Sequence, residues 1–192
     1  MDVYQIFIKH NRVWSEKEII AFGLFMVVEL ILLARLLHNK RIKMTQAVAV
    51  IAFTGFLGIV LASTVLTREV EVRQYKLIPL WSWKEVIVHN DMKLLQEILL
   101  NSILLMPVGG LLPFMRGEKV KARSALMIGL GISAMIEVSQ LIFRRGVFEW
   151  DDMIHNSLGC MIGCIVVNMW LSWRKFNWKK PGIGIKQVKC RK

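Results

Sequence analysis

The stretch Glu137-Val138-Ser139-Gln140-Leu141-Ile142-Phe143-Arg144-Arg145-Gly146-Val147-Phe148-Glu149-Trp150-Asp151-Asp152-Met153-Ile154-His155-Asn156 decides the fold. An apolar run carries Glu137 and Gln140 into it, a short charged hairpin follows, and a second apolar run carries Asn156 away. Ionisable groups inside a membrane segment are costly, roughly 2.5–3.5 kcal/mol for a carboxylate at the centre of a span on insertion scales, so they need partners or a purpose. Working outward, the flanking runs read as two membrane spans, about 124–143 and 152–173.

The remaining chain repeats that pattern. Of its 192 residues 55% are hydrophobic, and the mean hydropathy is +0.47. Crossing the hydrocarbon core takes roughly 20 apolar residues in a helix. Further spans are expected at about 19–37, 44–66 and 94–115. The prediction is an all-α, polytopic transmembrane bundle of about five spans, with an interfacial or re-entrant element near 75–90. Residues 1–18 read as an N-terminal interfacial segment, 19–173 as the transmembrane domain and 174–192 as a basic tail. No cleavable leader is expected. In the third span Pro107, Gly109 and Pro113 predict a kink or unwound section, because proline lacks an amide donor and clashes with the preceding turn.

Charge sets the expected orientation. The net charge is +12, and short loops and the tail carry it. The 38–43 and 116–123 connections and the tail hold 15 Lys/Arg and one acid, whereas 1–18, 67–93 and 144–152 hold 10 of each. The basic side should be cytoplasmic, which leaves the N-terminus outside and the C-terminus inside. Basic loops of this kind fit anionic lipid contact rather than nucleic acid, for which no recognition motif is present.

With that topology a rise of about 1.5 Å per residue places Asn101 roughly 10 Å deep, Glu137 roughly 9 Å and Asn156 roughly 6 Å, all from the outer side. Ser133, Glu137, Gln140 and Arg144 fall on one helical stripe, as do Asp152, Asn156, Gly159 and Gly163. Gly159 and Gly163 permit close helix approach. Asp151 or Asp152 is placed to cap the fifth span, and Asn101 or Arg144 to partner Glu137. The candidate polar pocket is therefore Glu97, Asn101, Glu137, Gln140, Arg145, Asp151, Asp152 and Asn156. Glu29, within the first span, stands apart from it. Cys160 and Cys164 read as buried packing residues, since no His or Cys pair completes a metal site.

At these residues the chain resembles the VanZ-like family of bacterial membrane proteins. The resemblance runs from Tyr75-Lys76-Leu77-Ile78-Pro79 through Asn101 to Pro113, then Glu137, Gln140, Arg145, Asp151-Asp152, Asn156, Gly159 and Gly163. Lys76, Gly110 and His155 depart from the family's usual residues. The resemblance implies an accessory factor of the cell envelope, linked to teicoplanin-type glycopeptide resistance, with no defined enzymatic activity and no cofactor. Expected partners are membrane lipids and a lipid-linked wall precursor or other envelope component. Two alternatives stay open: a membrane enzyme using paired carboxylates on a polyprenyl- or lipid-linked precursor, and a small ion-coupled transporter using Glu29 and Glu137.

Overall fold

A computed structural model describes residues 14–70 and 72–178, the last four of them by backbone alone. Most of the interfacial segment expected at 1–18, and the tail beyond Trp178, lie outside the described residues. Five helices are long and apolar enough to cross a membrane: Glu16–His38, Met44–Leu66, Met92–Arg116, Ala122–Phe143 and Trp150–Arg174. In chain order the elements are α1 (Glu16–His38), α2 (Met44–Leu61), β1 (Gln74–Lys76), α3 (Trp81–His89), α4 (Met92–Leu104), α5 (Met106–Arg116), α6 (Ala122–Phe143), β2 (Val147–Glu149) and α7 (Trp150–Trp178). A π-helical turn, Ala62–Leu66, extends α2.

Local chemistry sets the boundaries. Ser15 caps α1 in a capping box with Glu18, which starts the first span three residues earlier than hydropathy alone suggests. The third span divides into α4 and α5 at Leu105, whose φ of −99° and ψ of 6° leave the helical region. Pro107 sits in the first turn of α5, where its missing N–H costs little. The expected break is thus a single non-helical residue, Leu105, while Gly109 and Pro113 lie within the continuous helix α5. Gly117, at φ 74°, ends α5.

Helix α7 is the hub, packing against α4, α5 and α6. Backbone contact makes that possible. A Cβ on Gly159 would fall 1.7 Å from the Ser102 carbonyl oxygen, and one on Gly163 would fall 2.0 Å from that of Met106. Gly109 of α5 lies equally close to the Cys160 carbonyl. The two small residues of α7 thus seat the junction of α4 and α5 directly on its backbone. The surrounding core joins Val60, Leu105, Val108, Leu112, Ala125, Ile136 and the buried free thiols of Cys160 and Cys164.

By contrast, α1 buries only Leu33. Leu24 is 62% exposed and Val28 56%. An apolar surface of this extent is found on proteins that meet lipid or a partner, not on water-exposed monomers.

The charged segment after α6 pairs with a distant one. Strand β2 lies parallel to β1, with Gln74 opposite Val147, Tyr75 opposite Phe148 and Lys76 opposite Glu149. The segment is therefore no isolated hairpin: Arg144 (φ 59°) and Gly146 (φ 140°) turn the chain out of α6, and the 67–93 connection supplies the partner strand. Together with α3, this pairing covers the end of the bundle where α2 and α6 finish and α4 and α7 begin.

Candidate functional site

Two helices bring the central carboxylates together at that end. Glu137, on α6, is 2% exposed and accepts a hydrogen bond from the Glu149 backbone N–H at 3.0 Å. Asp152, on the first turn of α7, accepts from Asn101 Nδ2 of α4 at 2.5 Å. One turn deeper, Asn156 Nδ2 donates to Ser133 Oγ at 2.8 Å. The site therefore has two tiers: Glu137, Asp152 and Asn101 above, Ser133 and Asn156 as the floor. The i, i+4 spacing on both helices stacks one tier on the other.

The stripe read from the sequence is only partly continued. Ser133, Glu137 and Gln140 are buried, but Arg144 leaves the helix and is exposed. Glu137 finds its donor in the β2 backbone rather than in Asn101 or Arg144. Gln140 Nε2 donates to the Thr64 carbonyl at 3.0 Å, and Arg145 Nη1 donates to the carbonyls of Val65 and Leu66. A helix end leaves carbonyls without intrahelical donors. These two side chains therefore finish α2, holding it against α6 at the edge of the site.

Asp151 does not cap its own helix. It is 1% exposed and accepts from the backbone N–H groups of Leu80, at 2.5 Å, and Ser82, at 2.9 Å, and from Ser82 Oγ. It thus caps α3 from across the fold, where Leu80 at φ 60° offers no side-chain cap. Three more contacts fasten this cover: Trp83 Nε1 to His155 Nε2 at 2.9 Å, Trp81 Nε1 to Glu149 Oε2 at 3.2 Å, and Lys76 Nζ to Glu149 Oε1 at 3.1 Å. Lys76 also lies 3.7 Å over the Trp81 ring. Glu97 is exposed on α4, within electrostatic range of Asp152.

Arg68 escaped the sequence reading. It lies just past the end of α2, and its Nη1 is 3.0 Å from where a Gly146 Cβ would stand. Its place straight after the second span was visible in the sequence; its approach to Gly146 was not. Glu29 lies elsewhere, accepting from Thr54 Oγ1 of α2 at 2.8 Å. Among the described residues no group of three His, Cys, Asp or Glu could hold a metal ion.

This arrangement gathers two acidic groups and two amide side chains at one end of the bundle. Comparison with known proteins finds one family model, described as VanZ/LLP1, over residues 47–171. That range takes in every residue of both tiers. No curated protein and no solved structure matches the chain significantly.

Proposed function

Since the chain belongs to the VanZ/LLP1 family, its model matching residues 47–171, we propose that it is an accessory protein of the bacterial cell envelope. It sits in the cell membrane with its N-terminus outside and its C-terminus in the cytoplasm. Its two-tiered polar recess opens outward, binds a lipid-linked or wall-related ligand, and through that ligand lowers susceptibility to teicoplanin-type glycopeptides. The observation that carries this reading is the gathering of Asn101, Glu137, Asp152 and Asn156 from three spans into one recess, at the end with balanced rather than basic loop charge. Polar groups converging inside a membrane bundle mark a functional site by default.

The test is genetic. Glu137→Ala and Asp152→Ala, at protein levels matched to the parent, are expected to restore teicoplanin susceptibility in a strain that depends on this protein. Unchanged susceptibility in both would remove the reading. The placing of two carboxylates, Glu137 and Asp152, at one end of the bundle also supports a second one, general acid–base chemistry on a polyprenyl- or lipid-linked precursor. Turnover of a labelled precursor by the purified protein, lost in Glu137→Gln, would establish it.

A further inference from the structure

A cavity of about 370 Å³ lies between α1 and α2, apart from the polar recess. Its lining runs from Trp14 to Phe25 at the start of α1, and from Thr54 to Leu66 on α2 and its π-helical turn. At about 1.5 Å per residue these stretches are roughly 17 and 18 Å long, close to half of a hydrocarbon core about 30 Å thick. Trp14 and Leu66 mark the end nearer the recess, Phe25 and Thr54 the end at mid-bundle. The volume spread over that length gives a section of roughly 22 Å², the width of one hydrocarbon chain.

The wall offers such a chain few polar rivals. Its carboxyl and hydroxyl side chains, Glu18 and Thr54, are engaged elsewhere. Glu18 Oε2 accepts from the Ser15 N–H at 2.9 Å, and Thr54 Oγ1 lies 2.8 Å from Glu29 Oε2 and 3.0 Å from the Val50 carbonyl. A water molecule there would lack the two to four polar partners that hold buried water. Phe25 in the wall is 55% exposed and Ile59 beside it 61%, so the cavity is continuous with the lipid-facing surface of both helices.

Charge waits at the recess end. Arg145 Nη1 donates to the carbonyl of Leu66, a residue of the cavity wall. A guanidinium carries five N–H donors. Arg145 Nε and Nη2 have no acceptor among the described residues, are not sealed from solvent, and join no ion pair there. A free guanidinium edge of this kind matches phosphate oxygens in pairs. Across the mouth, Trp14 suits the headgroup level, where tryptophan concentrates.

We propose that this cavity is a lipid site: it takes one acyl chain of an anionic phospholipid lengthwise, with the phosphate on Arg145 Nε and Nη2. The site stands apart from Glu137, Asp152 and Asn156 and does not depend on what they bind.

The test uses the full chain, purified in detergent and titrated with phosphatidylglycerol and with diacylglycerol of identical acyl chains, bound lipid being counted by native mass spectrometry. One phosphatidylglycerol per chain should bind, roughly tenfold or more tightly than diacylglycerol, as expected for charge-assisted hydrogen bonds. Ala21→Phe, in the cavity wall, should weaken it tenfold or more. Gly23→Phe, outside that wall and with open space around it, should not. Arg145→Gln should bring phosphatidylglycerol down to the level of diacylglycerol. Equal binding of the two lipids by the unaltered protein overturns the phosphate assignment without needing any variant to fold. Equal binding by Ala21→Phe and Gly23→Phe overturns the cavity as the site. Tighter binding of oleate than of phosphatidylglycerol overturns the phosphodiester, and tighter binding of a polyprenyl phosphate overturns the acyl chain.

Discussion

Replacing Gly159 by alanine should pull the recess apart. The added Cβ would stand 1.7 Å from the Ser102 carbonyl oxygen, whereas real Cβ contacts do not fall below 3.0 Å, so α7 and α4 must separate by at least the 1.3 Å difference. The obstacle is backbone, which cannot rotate aside as a side chain can. Two residues of the same helices, Asn101 and Asp152, are joined at 2.5 Å; adding 1.3 Å gives about 3.8 Å, beyond hydrogen-bond reach. Overpacking of this kind costs about 1–3 kcal/mol, and a lost hydrogen bond to a charged group about 1.5–3 kcal/mol more. At about 2–4 °C per kcal/mol for a chain of this size, Tm in detergent should fall by roughly 10 °C, read from loss of the monodisperse peak after heating. Gly131 is the control, since nothing lies within 4 Å of its Cβ position. Alanine there should be neutral, or stabilising by about 0.5–1 kcal/mol, because it restrains a helix interior. A Gly159→Ala protein as stable as Gly131→Ala would refute the packing argument.

Asp151→Ala leaves two α3 backbone donors and Ser82 Oγ unpaired, so the 77–91 segment should become open to limited proteolysis, at a cost of about 1–3 kcal/mol. Lys76→Ala removes a half-exposed ion pair and should cost under about 1 kcal/mol, leaving the proteolysis pattern intact; the reverse ranking would contradict the assigned cap. Gly146→Ala forces an L side chain to φ 140° against Arg68, and should impair the teicoplanin resistance proposed above while leaving expression near normal. A cysteine at Ile87, which is 78% exposed, should react with a membrane-impermeant maleimide in intact cells carrying Cys190→Ser; reaction only after permeabilisation would reverse the proposed topology. Ser82 is unsuited to that assay because it is buried under Asp151.

The spans and the grouping of their polar residues were legible because both depend on positions counted along one helix. Hydropathy marks where a helix can cross, and a fixed rise per residue converts position into depth. Asn101, Glu137 and Asn156 were grouped on that arithmetic, and a break in the third span was expected from Pro107, Gly109 and Pro113. Partner choice was not legible, since it turns on chain segments far apart in sequence. Asp151 illustrates the limit: an acid at the start of a helix is locally a cap, but both of its carboxylate oxygens are taken by donors at the start of α3. The donors that lacked a local acceptor were those of α3, about seventy residues away, and Leu80 cannot cap them itself. The same competition explains Glu137. Its local stripe pointed to a side-chain partner, yet the parallel pairing of 74–76 with 147–149 delivered the Glu149 N–H first and left one carboxylate oxygen free. What separates Glu137 from Glu29 is the donor: a backbone N–H fixed by strand pairing in one case, the single hydroxyl of Thr54 in the other. Which donor a buried carboxylate meets belongs to tertiary structure, and a count of polar positions along one helix does not contain it.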